Sequence, residues 1–320
     1  MTSRISAAGT AAGLHPRLRG TLLVLVSAVS FATLPLFGKV AYRHGVDPLA
    51  LLAWRFLVAT AVLWTAVVVT ARRRREPVLT DRPVLARLAL VGGVGLSPEI
   101  VLYFAGLQRV SAGLAETLLF LYPAWVVVIG AVALRVRPDR VVVACVLAAV
   151  AGAALSAGDG ASGQPAGVLL VVAASVLFAG YVVISGRLAP RVGGLRATTV
   201  TLSAAGAVLT AAALLTRAHG PTDVAGWGSA AAMALLGTVV PFGLLTAGLV
   251  LLPAAQASVV STVEPAVTVV LGAVLLGEQV GALQVAGTLL VLGAVVVLMR
   301  QEARAGLVDR DLLELAAPHE

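Results

Sequence analysis

Ten apolar stretches of about 20 residues, separated by short polar connections, limit this chain more than any other feature. About 20 helical residues cross the hydrocarbon core of a bilayer. Inside that core every backbone N–H and C=O must be satisfied internally, which a helix does within its own segment. The stretches are Thr21–Gly38, Pro48–Val69, Leu88–Leu107, Ser111–Leu134 and Val141–Ala157, then Gly167–Ser185, Thr198–Thr216, Gly228–Leu251, Ala254–Leu276 and Val280–Leu298. The expectation is an all-α integral membrane protein with ten transmembrane helices. Only 12% of the 320 residues are charged and the mean hydropathy is +1.00, so little chain remains for a soluble domain. An ordinary globular protein carries about twice that charged fraction.

The net charge of +8 raises nucleic acid as a partner. The basic residues sit instead in short clusters between apolar stretches, the pattern of topology signals. With the N-terminus in the cytoplasm and the sides alternating, 18 of the 23 basic residues face inward, including Arg72–Arg75, Arg82 and Arg87. Four face outward (Lys39, Arg43, Arg109 and Arg217), and Arg55 lies within a span. Both termini are therefore expected in the cytoplasm, with the lipid bilayer as the surrounding partner and no nucleic acid. The lone cysteine, Cys145, excludes an intrachain disulfide, and the four histidines all fall in tails or connections, so no metal site is expected.

The chain repeats itself. YPAWVVVIGAVAL, from Tyr122, recurs as EPAVTVVLGAVLL, from Glu264, and from Pro123 and Pro265 onward seven of ten positions are identical. The same register of 142 residues aligns Ala105–Leu107 with Ala247–Leu249. The first helices of the halves also match, Gly20–Ala32 with Gly167–Ala179. An expected division follows: a tail over 1–19, a repeat over 20–158, a linker over 159–166, a repeat over 167–299 and a tail over 300–320. Five crossings per repeat is an odd number, so the second repeat enters from the opposite side. Inverted repeats of this kind are typical of secondary transporters, whose sites lie near the midplane between the halves.

These residues resemble the EamA-type transporters of the drug/metabolite transporter superfamily. The likeness rests on Ala254, Ala257, Glu264-Pro265, Gly277-Glu278, Gly287 and Gly293 in the second half, and on Pro48, Trp54-Arg55, Ala112, Ala115 and Pro123 in the first. It covers roughly Gly20 to Arg300. The first half departs from the pattern, with Arg135-Val136 against Gly277-Glu278 and Tyr122 against Glu264. The resemblance implies a ten-helix basket around a central cavity. It also implies export or exchange of small metabolites such as amino acids.

Four ionisable residues lie well inside spans: Arg55, Glu99, Glu116 and Glu264. A charge in the bilayer core costs several kcal/mol, so such groups face a cavity or a partner. At about 1.5 Å per residue, Arg55, Glu116 and Glu99 lie roughly 10, 8 and 12 Å below the outer ends of their helices. Two arrangements satisfy that placement: a cavity-lining cluster in which Arg55 holds a substrate carboxylate, or a fixed Arg–Glu pair locking helices together, with Glu99 or Glu116 as the partner.

Glu264 lies near the midplane beside Pro265, whose missing N–H frees the carbonyl of Ser261. It is a candidate proton carrier, against a neutral glutamate with a packing role. Tyr103, four residues beyond Glu99, is a candidate substrate contact or an interfacial aromatic. Pro98, Pro123, Pro241 and Pro265 are candidate helix breaks whose freed carbonyls line a cavity. Glu278 is expected to start the last helix and complement its dipole. The tail after Arg300 has two open arrangements, a short amphipathic helix over Gly306–Ala316 lying on the membrane or a disordered segment, and no function is assigned to it.

No GxxxxGK[ST] stretch supports nucleotide hydrolysis. The leading expectation is a secondary active transporter, an exporter or exchanger, that is not an enzyme, has no cofactor and works as a monomer or homodimer. Proton coupling is the expected energy source. The alternative is a membrane enzyme acting on a lipid-linked substrate, against which stands the absence of a histidine within any of the ten stretches.

Overall fold

The computed structural model describes residues 16–134, 139–157, 164–249, 251, 252, 257 and 260–315. Among these the chain is all-helical, and nine helices are long and apolar enough to span a membrane. They are Arg17–Arg43, Pro48–Arg74, Arg82–Leu107, Ala112–Ile129, Arg140–Ala157, Pro165–Val192, Gly194–Leu215, Val224–Leu245 and Ala282–Gln301, with the shorter apolar helix Val263–Leu276 in the ninth of ten positions.

Local chemistry sets where these helices begin. Asp47 caps the second span by accepting from the backbone N–H of Leu49 at 2.9 Å, and Pro48 follows where its missing N–H costs nothing. Asp81, Ser111 and Asp223 cap the third, fourth and eighth spans in the same way.

Several bounds differ from those expected. The first span extends to Arg43 and is interrupted by a turn at Ala32-Thr33, where Pro35 opens the second segment. The sixth begins at Pro165 and passes through Pro190 to Val192. The last helix is continuous from Ala282 to Leu315, so no separate helix starts at Gly306. The expected linker over 159–166 lies mostly outside the described residues.

The two halves pack by exchange. The first span lies against the end of the eighth, and the sixth lies against the end of the third, which is the same contact with the repeats swapped. Second packs on seventh, fourth on ninth and fifth on tenth, each a pairing of equivalent helices. Small residues allow the close approaches. A Cβ on Gly106 would stand 3.0 Å from the carbonyl oxygen of Gly167, and one on Gly248 would stand 3.3 Å from that of Gly20. Gly106 and Gly248 are equivalent in the repeat, as are Gly167 and Gly20, so one glycine contact is made twice. Between lipid-embedded helices, where burial of apolar surface brings little, such packing is a main source of association.

Both repeats break the same helices at the same places. The fourth span turns at Phe120-Leu121, just before Pro123, and in the ninth position a turn at Thr262 precedes Pro265. The third and eighth spans carry π-helical turns at Val91–Leu96 and Leu235–Val239, each just ahead of Pro98 or Pro241. The wider turn absorbs the proline, which then starts the next α-helical segment. Serine hydroxyls donate to backbone carbonyls around these turns, Ser97 to Gly92 at 3.2 Å, Ser30 to Leu236 at 2.5 Å and Ser27 to Pro241 at 2.7 Å.

Candidate functional site

Breaks in the first, third, fourth, eighth and ninth spans surround one cavity of about 300 Å³. Arg55, Glu99, Tyr103, Glu116 and Glu264 all line it, so the structure brings these five candidates together. Arg55 comes from the second span, Glu99 and Tyr103 from the third, Glu116 from the fourth and Glu264 from the first turn of Val263–Leu276.

Arg55 is buried, 8% exposed, yet it does not form the fixed ion pair that was one of its two expected arrangements. Among the described residues no carboxylate lies within ion-pair distance of it, and the ion pairs present are Lys39–Glu278, His44–Asp223 and Arg196–Glu76. Its Nε donates to the hydroxyl of Thr238 at 2.8 Å, and Thr238 donates in turn to the carbonyl of Met233 at 3.3 Å. The guanidinium carbon lies 5.0 Å from the ring centre of Phe56 and 5.8 Å from that of Phe104. A cation placed over aromatic faces recovers part of its lost hydration.

Tyr103 donates from its hydroxyl to Glu116 Oε2 at 2.8 Å, and Glu264 faces the same cavity. Tyr103 is therefore no interfacial aromatic; it is 3% exposed and bonded into the site. Glu99 is 5% exposed and lies within electrostatic reach of both Arg55 and Glu116.

The remaining lining mixes aromatic rings with aliphatic side chains such as Leu34, Ile100 and Leu202. Phe120 and Tyr122 of the first repeat meet Phe178 and Tyr181 of the second in an unbroken series of ring contacts, with the Tyr122 and Phe178 centroids 4.9 Å apart. Phe31 packs edge-on to Phe242 at 5.1 Å. Thr238, Tyr122 and these phenylalanines escaped selection from sequence. One signal was available, since Phe31 and Phe178 occupy equivalent positions of the aligned first helices and both line the cavity. Nothing in the sequence marked Thr238, because a threonine in an apolar span has no distinctive neighbours until the second span packs beside it.

Glu278 stands elsewhere and does other work than expected. Its carboxylate accepts the backbone N–H of Ala112, at 2.9 Å from each oxygen, and pairs with Lys39 Nζ at 3.0 Å. It thus caps a helix of the first repeat and not the last helix of its own.

A family model, described as the EamA-like transporter family, matches residues 18–158 and again 165–300. The chain belongs to that family. This EamA-like transporter is 31% identical over 285 residues to the uncharacterized transporter YcbK of Bacillus subtilis (strain 168), covering 84% of this chain and 88% of that one. A crystal structure 21% identical to it shares the fold with a TM-score of 0.61, covering 92% of this chain and 99% of the other. The protein is a multi-pass membrane transporter.

Proposed function

We propose that this transporter is a secondary active carrier of the cytoplasmic membrane that exports or exchanges small polar metabolites such as amino acids, with both termini in the cytoplasm. The observation that supports it is the joint placement of Arg55, Glu264 and the bonded Tyr103–Glu116 pair on one cavity between two repeats. Arg55, with no carboxylate partner among the described residues, holds the carboxylate of the substrate. Glu264 and Glu116 are the coupling groups: entry of a substrate cation displaces a proton from one of them, and its exit lets the proton return. Exchanging the conformations of the two repeats would turn the cavity from one side of the membrane to the other, as inverted symmetry allows. The breaks beside Pro123 and Pro265 are the equivalent hinges of that motion.

Counterflow in proteoliposomes tests the reading. Purified protein should exchange labelled amino acids across the bilayer without altering them chemically, and an imposed pH gradient should drive accumulation. Glu264→Gln should keep the fold and abolish the response to the gradient. A chemically changed product without net flux would favour an enzyme acting on lipid-linked substrates instead.

A further inference from the structure

A second cavity, of about 250 Å³, lies apart from the one between the repeats, where the end of the second span meets the turn joining the sixth and seventh. Its lining grades from apolar to cationic. Val67 and Val192 are its buried side chains, and Arg74 and Arg196 are its cations. From Val67 to Arg74 the helix rises about 10 Å, out of the apolar stretch and into the basic cluster Arg72–Arg75. The two arginines differ in what they are free to do. Arg196 is committed: Nε donates to the carbonyl of Val78 at 3.2 Å, and Nη2 donates to that of Pro77 at 3.1 Å and to Glu76 Oε2 at 2.9 Å. The last of these neutralises Glu76, the acidic member of the lining. Arg74 makes no ion pair among the described residues. Thr70 stands one turn from Arg74 on the same helix face. Thr60 and Thr65 of that helix donate to carbonyls one turn back, at 2.6 and 2.9 Å, whereas Thr70, on the lining, makes no such bond among the described residues. Opposite them Gly193 and Gly194 leave open space, since a Cβ on either would meet nothing within 4 Å.

We propose that this cavity binds the phosphate of an anionic phospholipid of the phosphatidylglycerol type, held by the Arg74 guanidinium and the Thr70 hydroxyl, in the leaflet that borders Arg72–Arg75. The fork of an arginine matches two phosphate oxygens. A free phosphate would satisfy these donors but leave the Val67 and Val192 end of the cavity empty, whereas a phosphodiester carrying glycerol and acyl chains fills both ends. Its one net negative charge matches the one uncommitted cation of the lining. Arg72, Arg73 and Arg75 lie outside the lining and act at longer range, concentrating anionic lipid at this surface. Arg74 belongs to the first repeat and Gly193-Gly194 to the second, so the bound lipid bridges the repeats beside the Arg196–Glu76 pair. The site is independent of which solute the central cavity carries.

Thermal unfolding of the full chain in a neutral detergent tests the site, with phosphatidylglycerol, phosphatidylcholine and glycerol phosphate as the three probes. A ligand that binds the folded state raises the midpoint by mass action, so phosphatidylglycerol should raise it saturably. Phosphatidylcholine, which has no net charge, and glycerol phosphate, which has no chains, should leave it unmoved at the same concentration. Arg74→Gln should raise the half-saturating concentration of phosphatidylglycerol about tenfold, and Thr70→Val about threefold. Gly194→Leu, whose Cβ meets no neighbour, should fill the cavity and abolish the shift. Arg73→Gln makes the same charge change outside the lining and should stay within about twofold of wild type at physiological ionic strength, where more distant charges are screened. The midpoint of each variant without lipid reports whether its fold is kept. Equal weakening by Arg73→Gln and Arg74→Gln would reduce the effect to diffuse attraction by the basic cluster and overturn the site. A shift from glycerol phosphate equal to that from phosphatidylglycerol overturns the lipid source, and an equal shift from phosphatidylcholine overturns the anion requirement. No shift with phosphatidylglycerol removes the proposal and leaves the carrier reading standing.

Discussion

Glu278 caps the helix that begins at Ala112, receiving that backbone N–H at 2.9 Å from each carboxylate oxygen. The contact joins the second repeat to the first at the same end of the molecule where Lys39 Nζ approaches Glu278 at 3.0 Å. Arg43 adds a third tie by donating to the carbonyl of Leu276 at 3.0 Å. Glu278→Gln keeps an acceptor for Ala112 but removes the charge. Glu278→Ala removes both and leaves the Ala112 N–H without that acceptor, while Ser111 still caps Leu114. Hydrogen bonds to charged groups contribute about 1.5–3 kcal/mol. Glu278→Ala should therefore lower the thermal unfolding midpoint in detergent clearly more than Glu278→Gln, with Lys39→Met falling between them. Equal midpoints for all three would show that the contact is not holding the repeats together.

Tyr103, on the third span, bonds directly to the Glu116 carboxyl of the fourth. Tyr103→Phe deletes one hydroxyl from a buried pair and leaves the ring, including its edge-on contact with Phe104 at 5.2 Å, in place. The Glu116 carboxyl is then free to turn within the cavity. Folding should be nearly unaffected, whereas counterflow should fall by about tenfold, equivalent to about 1.4 kcal/mol, within the range for one buried hydrogen bond. Parallel measurement of flux and thermal midpoint separates the two effects.

How much of this was legible in sequence depends on the distance between cause and pattern. The spans are written locally, as runs of apolar letters, and were found from them, but several helices run past those letters, to Arg74, Val192 and Leu315, and elsewhere a proline allows a helix to restart. Pro35 is such a case, because a proline near the end of a span looks the same whether the helix stops or resumes. The repeat was legible because Pro123 and Pro265 sit in matched small-residue contexts. Arg55, Glu99, Glu116 and Glu264 were singled out because a charge among apolar residues is conspicuous, and Tyr103 because it stands one helical turn beyond Glu99, whereas Tyr122 and Tyr181 of the same cavity were not. The partners of Arg55 and Glu278 were not legible: Arg55 meets Thr238, which is 183 positions away, and Glu278 meets Ala112, which is 166 away. Contacts of that separation depend on how the repeats interleave, and no local pattern encodes it.

Asp223 provides a pH-dependent tie outside the membrane-spanning helices. It accepts from the backbone N–H of Gly226 at 2.7 Å and faces His44 Nδ1 at 2.8 Å. The Gly226 N–H first, and His44 second, hold its carboxyl below the ordinary aspartate range. A carboxyl depressed in the folded state contributes stability that is present above its unfolded-state value and is lost as the pH falls through its folded-state value. The thermal midpoint should thus fall on acidification below the usual carboxylate range. Asp223→Asn should be less stable at neutral pH and show a smaller part of that acid-induced fall. An identical acid response in wild type and variant would assign the fall to other groups.

The connections of the chain gather into two sets, which yields a prediction about sidedness. The carbonyl of His219, between the seventh and eighth spans, accepts from Asp47, between the first and second. Gln164, before the sixth span, donates to Arg109, between the third and fourth. Arg196, in the first turn of the seventh span, instead reaches Glu76 and Val78, between the second and third. Each contact joins connections that ten alternating crossings would place on one side, and none of these three joins opposite sides. The basic cluster Arg72–Arg75 belongs to the Arg196 set, and positive charge marks the cytoplasmic side. In a Cys145→Ala background, Gln164→Cys should react with a membrane-impermeant maleimide in intact cells. Arg74→Cys should react only after permeabilisation, since it stands on the far side. Both positions are exposed in the fold, so failure to react would report sidedness and not burial. Labelling of both from the same side would break the odd crossing number of the first repeat. The inverted relation between the halves would then fall, and alternating access by their exchange would fall with it.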